Sequence, residues 1–68
     1  MLDNYGDMLS VEEVMEILTI GKNATYDLFR TGEVKAFRLK NRWKIPKKAI
    51  IDYINKRYEE EKPRAKKF

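Results

Sequence analysis

The 68-residue chain has no cysteine and no histidine. That removes disulfides, Cys/His metal centres and every catalytic scheme that works through imidazole or thiolate. The carboxylates have no such group to work beside, so neither an enzyme nor a cofactor is expected, and no small-molecule ligand is evident. No apolar run approaches the ~18 residues that a membrane span needs. The opening Met1-Leu2-Asp3-Asn4-Tyr5 lacks the basic and apolar regions of a secretory signal. The expectation is a cytoplasmic protein with no membrane partner. There is no internal repeat and no low-complexity run, and a chain of this length makes one domain near the lower limit for a self-sufficient core.

Positive charge is missing from the first 21 residues, which hold Asp3, Asp7, Glu12, Glu13 and Glu16 and no cation. Residues 22–48 reverse this, with nine cations against Asp27 and Glu33. Residues 49–68 add six cations and four acids, and the whole chain carries +4. A basic body of this kind is the electrostatic footprint of a nucleic-acid binder.

Residues 1–8 show no helical period and read as a flexible lead-in. A helix then starts at Ser10, the N-cap, with Glu13 closing a capping box and Leu9 placed to staple onto Val14. Val11, Val14, Met15 and Leu18 form its buried stripe, so helix 1 spans about Val11 to Leu18. Thr19-Ile20-Gly21 leaves room only for a tight turn. Gly21 caps a second helix, Lys22 to Thr31, which Gly32 stops. Ala24, Thr25, Leu28 and Phe29 fall on its inner arc, and Asn23, Tyr26 and Arg30 on the outer one with Lys22 beside them. Asn bonds bidentately to adenine, Arg to guanine or phosphate, and Tyr reaches phosphate through its hydroxyl.

Phe37 to Pro46 reads as a hairpin. A three-residue loop, Lys40-Asn41-Arg42, pairs Leu39 with Trp43 and Phe37 with Ile45, which makes one face wholly apolar. Trp43 is then expected in the core, packed with Phe37 and Leu39 against helices 1 and 3. The other face sets Arg38 opposite Lys44, with Lys40 and Arg42 at the tip. Like charges across a ladder are destabilising, so an anion is expected over them. Pro46 suits the first position of a third helix. Lys47 and Lys48 occupy its first turn, where cations oppose the helix dipole unless an anion lies near. Ala49, Ile50, Tyr53, Ile54 and the Arg57 stem make its buried arc. Ile51 and Tyr58 lie outside it. Pro63 forbids continuation, and residues 62–68 read as a basic flexible tail.

Helix, tight turn, helix, basic hairpin, helix is the order of a winged helix-turn-helix, mainly α with a small β-hairpin as the wing, over residues 9–61. The runs Leu9 to Leu18, Arg30 to Leu39 and Arg42-Trp43-Lys44-Ile45-Pro46, with Tyr26 between the first two, resemble the excisionase family of small DNA-binding domains, in the MerR-like winged-helix group. The likeness covers about residues 9–54. It implies that helix 2 enters the major groove and that the wing meets the backbone or minor groove, with Tyr26, Arg30, Arg38, Arg42 and Lys44 at contact positions. Thr19 stands where the family usually has Gly, Gly21 where it has a capping Ser or Thr, and Lys40-Asn41 replaces a Gly-basic pair.

Together the residues and the resemblance give a double-stranded DNA interface built from Lys22, Asn23, Tyr26 and Arg30 on helix 2. Arg38, Lys40, Asn41, Arg42 and Lys44 would join them from the wing, and Lys47 and Lys48 from helix 3. Two biological roles fit. One is a recombination accessory factor acting with an integrase or with further copies of itself on adjacent sites. The other is a transcriptional regulator of a mobile element. A protein-interaction module using Ile51, Tyr58 and the tail is the alternative of a different class.

Overall fold

The computed structural model describes residues 2–61, so the expected basic tail lies outside the described residues. Six elements follow in order: β1 (Met8–Leu9), α1 (Val11–Leu18), α2 (Lys22–Thr31), β2 (Phe37–Leu39), β3 (Arg42–Pro46) and α3 (Lys47–Glu61). The three strands form an antiparallel sheet in the order β1-β3-β2. This is a winged helix-turn-helix, mainly helical, with β2 and β3 as the wing.

The start of α1 follows from its first four residues. The Glu13 amide donates to Ser10 Oγ at 3.1 Å, and the Ser10 amide donates to Glu13 Oε1 at 2.9 Å, so both halves of the capping box are made. Leu9 and Val14, the expected staple, are both buried in the same core cluster. The end of α1 is less comfortable. Thr19 takes the left-handed conformation at φ 55°, ψ 50°, and its amide donates to the Met15 carbonyl. A β-branched residue at positive φ is strained. Replacing Thr19 with Gly is therefore expected to raise stability by about 1 kcal/mol, seen as a rise of roughly 4–8 °C in the thermal midpoint. An unchanged or lower midpoint would show that the Thr19 side chain repays its own strain.

α2 starts at Gly21 without a side-chain cap. Its first turn is tied instead by Thr25, fully buried, whose amide and Oγ1 both donate to the Gly21 carbonyl, at 3.1 and 2.8 Å. Gly32 closes the helix at φ 82°, a conformation that glycine adopts without a Cβ penalty. Ala24, expected on the inner arc, is exposed, and the helix buries itself through Thr25 and Phe29.

The core is Leu9, Val11, Val14, Phe29, Val34, Ile45 and Ile50, with Trp43, Tyr26, Tyr53 and Ile54 among the side chains packed against it. The segment before α1 carries structure of its own. Met8 pairs with Pro46 and Leu9 with Ile45, so β3 becomes the central strand. Leu2 and Tyr5 also rest against the core. The Tyr5 hydroxyl donates to Glu16 Oε1 at 2.9 Å, and that bond to a carboxylate holds the phenol above its ordinary range. α3 begins one residue later than expected, because Pro46 ends β3 rather than opening the helix. Arg57 is exposed and pairs with Glu61 at 3.4 Å instead of covering the core with its stem.

Candidate nucleic-acid interface

The wing closes on two residues, not three. Phe37 pairs with Lys44, Arg38 with Trp43 and Leu39 with Arg42, leaving only Lys40 and Asn41 in the loop. Both loop residues have positive φ, 52° and 67°. Paired positive values are the signature of a type I′ turn, whose twist matches that of the flanking strands. Asn41 tolerates the conformation well; Lys40 carries strain in it.

This register overturns the expected division of faces. Directly paired residues share a face, so Arg38 and Trp43 point one way, while Phe37, Leu39, Arg42 and Lys44 point the other. Ile45, fully buried and paired with Leu9, fixes the inner face, and Trp43, two residues before it, follows it inward. Trp43 therefore packs on Phe29 of α2, ring centroids 4.9 Å apart, and not on Phe37 and Leu39. The Arg38 guanidinium lies over the Trp43 ring, 5.8 Å from its centroid, in a cation–π contact. The expected Arg38–Lys44 repulsion is absent because the two residues lie on opposite faces.

On α2, Lys22, Asn23 and Arg30 are exposed. Arg30 forms an i,i+3 ion pair with Asp27 on the helix surface. Tyr26 is not a free outer residue. It is half-buried and meets Phe29 edge-on, with centroids 6.1 Å apart. Phe29 thus sits between the Tyr26 ring and the Trp43 ring, joining α2 to the wing.

Tyr26, Asn41, Arg42, Trp43 and Lys44 share a cleft with the first turn of α1. Lys40, Asn41 and Arg42 are exposed at the wing tip, and Lys44 is half-buried. Among the described residues, no carboxylate forms an ion pair with Lys40, Arg42 or Lys44.

The two lysines of α3 part company. Lys47 Nζ donates to the carbonyls of Tyr5 and Leu2, at 3.2 and 3.4 Å, and its amide donates to the Asp7 carbonyl at 2.8 Å. Backbone oxygens of the N-terminal segment thus occupy the place where an anion was expected. Lys48 stays exposed.

Phe37 and Leu39, expected on the inner face with Trp43, are instead 46% and 53% exposed. The signal that could have found them was the Lys-Asn dipeptide, since Asn in a two-residue loop favours the I′ turn that turns them outward.

The fold and this surface define a helix-turn-helix protein with a basic wing. The helix-turn-helix domain family matches residues 8–58, and the chain belongs to that family. It is 33% identical over 48 residues to an excisionase of Streptomyces ambofaciens, across 71% of this chain and 77% of the relative. It is also 39% identical over 46 residues to a probable excisionase of Saccharopolyspora erythraea, across 68% of this chain and 47% of that relative. No solved structure matches the chain. No helix among the described residues is long and apolar enough to cross a membrane.

Proposed function

We propose that the chain binds double-stranded DNA sequence-specifically and serves as an excisionase-like accessory factor in recombination, working in the cytoplasm. α2 lies in the major groove with Asn23 and Arg30 at base edges. The wing lies along the backbone or minor groove, as in MerR-like winged helices. The observation that carries this reading is the wing itself. Lys40, Arg42 and Lys44 have no carboxylate ion-pair partners among the described residues, and Asn41, Arg42 and Lys44 share a cleft with Tyr26 of α2. The relatives named excisionase support the recombination role. An integrase, or further copies of this chain on adjacent sites, would be the partner.

Salt titration tests the proposal. If about five cations meet phosphates, log K falls with log salt at a slope of roughly −4 to −5 between about 50 and about 200 mM. Arg42→Ala should reduce that slope by about one and weaken all sequences nearly alike. A slope near zero would leave the basic body as solvated surface. It would favour instead the protein-interaction reading, which the 63% exposure of Tyr58 on α3 supports.

A further inference from the structure

The outward face of the wing mixes two kinds of side chain in a fixed pattern. Phe37 sits directly opposite Lys44 and Leu39 directly opposite Arg42. The two apolar residues line β2, an edge strand of the sheet, and the two cations line β3. Edge strands usually keep exposed apolar side chains few, because an apolar edge invites aggregation. Here β2 is exposed along its whole length, and two of its three residues are large and apolar. Neither belongs to the core or to the side chains packed against it. They therefore contribute little to folding, and the core-facing register of β3 holds them outward.

A surface of apolar groups beside cations that have no ion-pair partner among the described residues has a natural complement in the DNA groove wall. Deoxyribose presents C–H groups in rows, and each row is bordered by phosphates. Phosphate contacts alone would ask for a wholly cationic wing face. A protein partner would more naturally meet Arg42 and Lys44 with carboxylates, whereas DNA offers anion and hydrocarbon at alternate steps along one strand.

We propose that Phe37 and Leu39 are DNA-contacting residues that pack on deoxyribose along the groove beneath the wing, while Arg42 and Lys44 take the adjoining phosphates. The inference rests on the DNA-binding reading above and adds to it an apolar, salt-insensitive component supplied by β2. Apolar burial releases no counterions, so it changes affinity without changing the salt slope.

The experiment compares wild type, Phe37→Ala/Leu39→Ala and Phe37→Leu/Leu39→Met on one duplex carrying a selected site, across the same salt series, with thermal melts alongside. Because both side chains are about half exposed, the alanine pair should melt within a few degrees of wild type. It should bind about ten-fold more weakly at every salt concentration, with an unchanged slope. The Leu/Met pair, which keeps apolar bulk, should recover most of the loss. Wild-type affinity in the alanine pair would overturn the inference while leaving DNA binding intact. So would a loss that appears as a shallower slope, or wild-type protein that sediments as a dimer only when Phe37 and Leu39 are present. A wild-type chain that bound no duplex would overturn both readings.

Discussion

Phe29→Ala is expected to leave the chain without a cooperative fold at room temperature. Phe29 is 6% exposed and is the shared contact of the Tyr26 and Trp43 rings, so its removal opens a void between α2 and the wing. Truncating a buried Phe costs ~3–5 kcal/mol. A single core in a chain this short rarely supplies more than that in total. Far-UV circular dichroism against temperature decides it: the expected trace is a shallow, non-cooperative loss of helix. Trp43→Ala should be milder, at about 2 kcal/mol, because half-burial leaves part of the Trp43 ring in solvent and Arg38 already shields it. A cooperative melt for Phe29→Ala within a few degrees of wild type, or a Trp43 variant less stable than it, would falsify the joint described here.

That ordering could not be read from the sequence, and the reason is instructive. The bounds of α1 and α2 were legible because helices announce themselves locally, through Ser10 and Glu13 at one end and Gly32 at the other. α3 was legible to within one residue for the same cause. The hairpin was legible as a hairpin but not in register. The sequence argument assumed that apolar residues on both strands must share a face. The molecule instead lets β3 alone face the core and covers Trp43 with the guanidinium of Arg38, a residue counted among the free cations. Nor did β1 carry any pattern of its own. Two residues are too few to show a period, and Met8–Leu9 becomes a strand only because β3 is there to pair with it. The same non-local segment decides the fate of Lys47, whose ammonium is held by carbonyls 45 and 42 residues away in the chain. On the candidate interface, Lys22, Asn23 and Arg30 were placed correctly on the exposed side of α2 by helical geometry alone. Tyr26 was not, because its i,i+3 contact with Phe29 draws the ring inward.

Arg30→Ala and Asn23→Ala are expected to narrow the gap between a selected site and random duplex about ten-fold or more at fixed salt, whereas Arg42→Ala lowers both affinities together. The difference follows from where each side chain stands. Asn23 and Arg30 project from the exposed face of α2, and helix side chains reach base edges in the major groove, where a bidentate pair discriminates by ~1–3 kcal/mol. Arg42 stands at the end of β3 beside the wing turn, where the proposed binding mode puts phosphate, which carries no sequence information. Arg38, which the sequence alone would rank with Arg42, now makes a poor probe of the wing. Its guanidinium shields Trp43, so Arg38→Ala mixes lost packing with lost charge. Arg30 has a complication of its own, since Asp27 holds it in an exposed surface pair. That pair must open for Arg30 to bond guanine. An exposed pair of this kind is worth little, so opening it should cost well under ~1 kcal/mol. Asp27→Asn should accordingly raise affinity for both duplexes, by freeing Arg30 and by removing a negative charge from the exposed surface of α2. Affinities of all four variants for both duplexes, at one salt concentration, make the test. If Arg42→Ala narrows the gap while Arg30→Ala and Asn23→Ala preserve it, then the wing reads the sequence and α2 merely anchors.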